Sequence, residues 1–153
     1  MSKKGKIILA VVIIAAIILV AVGYATIGNI GLTISGTASG TGNSGNFVVK
    51  FSDTVNTTIT GTVTTNPKVA SATATGKVTG DKAATITVSG LATKDDYADV
   101  SFKVANNSKD IKATIAATAK SDNTDFSVAV IAGTGTAVAA GSTTTITVRV
   151  TLN

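Results

Sequence analysis

The chain has no cysteine, no histidine, no tryptophan and no glutamate, and it has one proline and one methionine in 153 residues. Without cysteine neither a disulfide framework nor a thiolate metal site can form, so an exported form must be stable through packing and strand pairing alone. Without histidine, cysteine and glutamate, acid–base or nucleophilic catalysis near neutral pH is left with aspartate, lysine, Tyr24, Tyr97 and many hydroxyls. Ser101 and Lys103 are two apart on a strand and share a face, which reads as the solvated side opposite Val100, Phe102 and Val104 rather than as a serine–lysine pair. The stretches "GTASGTG" and "GTGTAVAAG" precede no helix and lack the lysine–hydroxyl pair of a phosphate loop. No enzyme is expected, and no catalytic residue is assigned.

Charge of one sign is also scarce. The formal net charge is +5, with a sequence pI near 9.6, but Lys3, Lys4 and Lys6 all precede an apolar run. Behind that run ten basic residues face eight acidic ones, every acid an aspartate. The lysines there are spread singly, and Arg149 is the only arginine. Nucleic acid is therefore not an expected partner.

What is present begins at the N-terminus. "MSKKGK" and then "IILAVVIIAAIILVAVG", Ile7 to Gly23, form a basic region and an unbroken apolar run. A helix here meets the membrane, as a signal peptide or as an anchor, because the run lies between the usual lengths of the two. Gly23 and Ala25, and also Ala21 and Gly23, have the small-residue spacing of a signal-peptidase site. The lysines before the run place the rest of the chain outside the membrane, secreted or at the cell surface. The expected organisation is a signal peptide or membrane segment over 1–25, an N-terminal strand over 26–39, a flexible joint over 40–46 and one β-sandwich domain over 47–153.

Past Ala25 the composition turns to Thr, Ser, Gly, Ala and Val in period-two alternation. Ile30, Leu32 and Ile34 share one face, as do Phe47, Val49 and Phe51. Ile59 and Val63, Ile86 and Val88, Val100 to Val104, Ile111 and Ile115, and Phe126 to Val130 follow. "TTTITVRVTL" closes the series with Ile146, Val148, Val150 and Leu152 on one side. "VASATATGKV", 69–78, is a weaker strand, read as an edge or as a place where another surface packs closely. Turn-rich segments such as "TTNPK", "TGDK" and "NNSKD" separate the runs. The pattern predicts an all-β fold, an immunoglobulin-like sandwich of about eight or nine strands, with no helix after Gly23.

Two kinds of polar site are suggested. Asp95, Asp96 and Asp99 in "KDDYAD" are hard oxygen ligands suited to calcium, the one cofactor the residues suggest, and "SDNTD" adds Asp122, Asn123 and Asp125. Neither matches a twelve-residue EF-hand loop, and aspartate in a turn more often bonds its own backbone. Asn56 in "NTT" and Asn106 in "NNS" are glycosylation sequons.

The order of features resembles the TasA/camelysin family of biofilm-fibre subunits and related archaeal bundling-pilus proteins. The segments that carry it are "VGYATIGNIGLTISGTAS", "FVVKFSD", "ATITVSGLATKDDYADVSFKVANNSKDIKATIAA" and "AGSTTTITVRVTL". The chain is shorter than the best-known bacterial member and has no long helical insertions. The resemblance implies a jelly-roll-like or immunoglobulin-like sandwich that polymerises by donor-strand complementation, copies of the same chain being the partners. Ile30, Leu32 and Ile34 would enter a neighbour's groove, with Ile27 as a further anchor and the glycine-rich joint connecting strand to body. Residues 26–38 alternate identically whether they are donated or inserted into their own sandwich, so periodicity leaves both arrangements open.

Three readings follow: a secreted filament subunit, a membrane-anchored sandwich for adhesion or envelope structure held through residues 7–23, and a type IV pilin-like subunit cleaved after Gly5. The last is disfavoured by a short helix with no acidic residue near its start.

Overall fold

The computed structural model of this protein describes residues 28–39, 47–66, 68 and 71–153. The apolar run from Ile7 to Gly23, the cleavage positions, Tyr24, Ile27 and the joint at 40–46 lie outside the described residues. Among the described residues the regular structure is all strand.

The described residues form eleven strands: β1 (Gly28–Ser39), β2 (Val49–Phe51), β3 (Thr58–Thr60), β4 (Thr62–Thr64), β5 (Thr73–Gly80), β6 (Ala83–Ser89), β7 (Tyr97–Asn106), β8 (Lys112–Ser121), β9 (Phe126–Ala132), β10 (Ala137–Val138) and β11 (Thr143–Leu152). They build two antiparallel sheets. The first has the order β10-β8-β1-β6-β5-β3, and the second β2-β7-β11-β9, with β4 also paired to β7.

Alternation explains which face turns inward. In β7, Val100, Phe102 and Val104 are fully buried while Ser101 and Lys103 are exposed. In β11, Ile146, Val148 and Val150 are fully buried and their register partners across the ladder are Phe102, Val100 and Ala98. The inward residues of both sheets form one apolar cluster, so the sheets share a single core. Threonine is the commonest residue at outward positions, which suits a pleated surface without adding charge.

The strand count exceeds the expected eight or nine for local reasons. The run containing Ile59 and Val63 is two strands in different sheets: β3 pairs with β5, β4 pairs with β7, and Gly61 lies between them. A Cβ at Gly61 would come within 2.7 Å of Val100 Cγ2 and 2.8 Å of the Asp99 carbonyl oxygen, so the chain changes sheets where only glycine fits. β10 adds a two-residue strand on β8.

β5 is not an edge strand. It runs between β6 and β3, and its small residues make room for the opposite sheet. A Cβ at Gly76 would meet Phe102 Cζ at 2.6 Å and Val100 Cγ1 at 2.7 Å. Phe102 is the largest fully buried side chain, and it packs against Phe51 with ring centroids 5.7 Å apart.

Gly76→Val should therefore destabilise the domain by about 1–3 kcal/mol through overpacking on Phe102. Gly31→Val, at a position where a Cβ meets nothing within 4 Å, should change stability by less than about 0.5 kcal/mol. Denaturant unfolding measures both, and equal losses would refute this packing account.

Candidate functional site

The feature with functional content is the slot that holds β1. β1 is interior, paired antiparallel with β6 from Gly28↔Val88 to Thr33↔Ala83 and with β8 from Ile30↔Ser121 to Ser39↔Lys112. The Ile34 N–H donates to the Lys82 carbonyl (3.1 Å) and continues the first ladder. Within the chain, then, the N-terminal strand belongs to the same body as residues 47–153. Removing it would divide the six-stranded sheet into β10-β8 and β6-β5-β3 and leave two backbone edges unpaired.

Side-chain sizes across the ladders are complementary. Ile30, Leu32 and Ile34 are at most 1% exposed. Leu32 lies opposite Ala84 on one side and Ala119 on the other, and Ile34 lies opposite Ala117. The pattern then inverts, because Gly36 lies opposite the fully buried Ile115. Along β8 the large residues of β1 thus meet small ones, with Ile30 opposite Ser121, and the glycine meets a large one, whereas on the β6 side Ile30 faces Ile86. The alanines of "DKAATIT" and "TIAATAK" look featureless in sequence, and only the register gives them this role.

The other expected site residues are placed differently from one another. Asp96 is 3% exposed, and its carboxylate accepts three backbone N–H bonds: from Asn66 at 2.9 Å, Ala92 at 3.0 Å and Thr93 at 2.9 Å. Burial pushes the Asp96 pKa up, but the bonds from Asn66, Thr93 and Ala92 together outweigh it and hold the carboxyl below its ordinary value of 3.8. Asp99 is engaged elsewhere. Arg149 donates from Nε to Oδ1 (2.8 Å) and from Nη2 to Oδ2 (2.7 Å), with its guanidinium 3.8 Å from the centre of the Tyr97 ring. Asp95 is exposed with φ 70°, and the three carboxylates do not converge. Among the described residues no group of three or more metal-ligating side chains is placed to hold an ion. In the second acidic loop, Asn123 Oδ1 accepts from the Asp125 N–H at 2.9 Å, a turn closing on itself.

The two sequons also part. Asn56 is exposed, with φ 64°. Asn106 is 0% exposed, and its Nδ2 donates to the carbonyls of Ile111 (2.8 Å) and Val138 (3.0 Å) while Oδ1 accepts from the Ser108 N–H (3.1 Å). Ser108 Oγ in turn accepts from the Val48 N–H at 3.0 Å. A glycan on the Asn106 amide has no room in this fold, where that side chain ties the β7–β8 turn to β10. The outward Ser101 bonds Thr147 through their hydroxyls (2.9 Å), as expected of a solvated face.

No family model matches the chain, and no curated protein or solved structure matches it significantly.

Full burial of Ile30, Leu32 and Ile34 contributes roughly 5–9 kcal/mol, comparable with the whole stability of an ordinary domain, about 5–15 kcal/mol. A chain starting at residue 40 should accordingly lose its cooperative thermal transition. A synthetic peptide of residues 26–39 should restore it, and the same peptide with Asp at 30, 32 and 34 should not. Cooperative melting of the shortened chain alone at the full-length temperature would show that β1 is dispensable.

For Asp96, a lowered native pKa means that its stabilisation is complete above the unfolded value near 4 and fades as pH falls through the native pKa. Asp96→Asn should lower stability by about 2 kcal/mol at pH 7. The gap from the parent chain should narrow below pH ~4 in urea titrations. A gap independent of pH would remove the carboxylate from this role.

Proposed function

We propose that this protein is a structural subunit of an extracellular filament, exported through its N-terminal segment and polymerised head-to-tail. β1 of one copy fills the slot between β6 and β8 of the next. The observation that carries this reading is the position of β1: an interior strand, paired along both edges, joined to the body only through the sequence "GTGNSGN".

A strand with one covalent tie and a glycine-rich tether can make the same contacts in its own body or in a neighbour's. Seven residues at roughly 3.3 Å each span more than the ~10 Å between packed sheets, a reach that does not by itself tie β1 to its own body. Donation is heterologous, the donating surface differing from the accepting one, so repetition extends the assembly rather than closing it. The two-sheet architecture is compatible with the immunoglobulin-like or jelly-roll-like sandwich of the TasA/camelysin and bundling-pilus proteins, which the sequence resembles. A structural role also needs no catalytic group, in keeping with a chain poor in them.

A second reading is favoured by one observation: in the single chain β1 lies in its own slot. If β1 remains there, the protein is a membrane-anchored surface domain for adhesion or envelope structure, with the apolar run of 7–23 retained.

Thr33 and Ala83 are cross-strand partners with exposed side chains, in a chain that has no native cysteine. In the double variant T33C/A83C, oxidation of the assembled native protein should give a ladder of covalent oligomers on a non-reducing gel. Crosslinked monomer alone would reject strand donation. N-terminal sequencing of the native protein should begin near Ala25 or Thr26; a start at Met1 would favour the anchored domain, and a start at Lys6 the type IV pilin-like form.

A further inference from the structure

We infer that Gly36 is the register key of the β1 slot, and that the slot selects extended segments with three large aliphatic residues at alternate positions followed, two residues on, by glycine. The inference holds whichever copy supplies the strand. It concerns what the slot accepts, not where the strand comes from.

Gly36 continues the inward series of Ile30, Leu32 and Ile34. An ideal Cβ built there would stand 2.7 Å from Val49 Cγ2, 3.1 Å from Val49 Cβ and 3.1 Å from Phe47 Cζ. Both residues come from the segment just after the joint, which is held in place. The Asn107 N–H donates to the Val48 carbonyl (2.8 Å), the Val48 N–H to Ser108 Oγ (3.0 Å), and β2 pairs with β7 from Val49↔Asn106 to Phe51↔Val104. The ceiling over Gly36 is therefore braced by backbone hydrogen bonds and cannot yield cheaply.

Space, not backbone freedom, demands this glycine. The described glycines with positive φ are Gly90, Gly133, Gly135 and Gly141, and Gly36 is not among them.

Register follows from two mismatches. A slip of two residues in one direction would carry Ile34 beneath Phe47 and Val49 and set it against Ile115. The opposite slip would set Gly36 against Ala117, leaving a void where Ile34 now lies, and would bring Ala38 under the same ceiling. A slip of one residue would turn the aliphatic face to solvent. Only the observed register satisfies the large–small pairing along β8 and the notch together.

The test uses full-length chain and total crosslink yield, within and between molecules, equilibrated in glutathione buffer. T33C/A83C reports the observed register, and T33C/T85C the slip by two that sets Gly36 against Ala117. With Gly36 intact the first should exceed the second by about tenfold or more. Gly36→Ala should lower the in-register yield by about tenfold. Adding Val49→Ala should recover most of that yield, because it removes the atom nearest the introduced methyl, while Val49→Ala alone should change it little. Gly31→Val, on the outward face, should leave it unaltered. The inference is overturned if Gly36→Ala crosslinks like the parent, or if Val49→Ala fails to rescue it, including the case in which both Gly36 variants are unfolded. The fraction of crosslinks joining different molecules is read separately, so strand donation can fail while the notch stands, and the reverse.

Discussion

The structure depends on one constraint: two strands, β6 and β8, each with a backbone edge that only β1 satisfies along most of its length. Unpaired N–H and C=O groups beside an apolar trough are costly in water and worse when half-buried. β1 removes both penalties at once, contributing hydrogen bonds on two sides and three wholly buried aliphatic side chains to the common core. A six-stranded sheet thereby becomes continuous, and the second sheet has an uninterrupted surface to pack against. Since the strand that closes the fold is also the one tethered by a glycine-rich joint, folding and the proposed assembly draw on the same contacts.

The ends of the body are held by polar rather than covalent staples. A chain without cysteine cannot cross-link its loops, and here the ten-residue strand β7 carries a buried polar group at each end. At its start Asp96 gathers three backbone N–H groups from two loops, and the Asp96 carbonyl accepts a further bond from the Leu152 N–H of the last strand (2.9 Å). At its finish Asn106 joins the β7–β8 turn to β10 and, through Ser108, to the segment that roofs Gly36. No buried side-chain N or O atom is left without a partner among the described residues. Satisfied in this way, buried polar groups fix loop geometry that apolar packing alone leaves loose.

These staples show how differently the fold places aspartates and asparagines that look alike at short range. "KDDYAD" has the spacing of oxygen ligands and "NNS" the form of a glycosylation sequon. Yet Asp96 bonds backbone, Asp99 faces Arg149 fifty positions away, and Asn106 spans a turn. The partner of a polar side chain is decided by which distant segments the sheets bring beside it. Local spacing carries no such information.

Period-two alternation was enough to mark the all-β class, the inward residues of β1, β7 and β11, and the absence of helix from the described body, because side-chain direction in a strand is a local property of the backbone. The small residues of 69–78 left an edge strand and a place of close approach equally open, and the structure shows an interior strand with the close approach at Gly76. What lay beyond it were the switch of sheets at Gly61, the interior place of β5, the alanines that receive Leu32 and Ile34, and the notch at Gly36. Each of these depends on which strand lies opposite, at what register and beneath which side chain. Such distances are set by packing between segments far apart in the chain, so the tertiary structure alone could decide them.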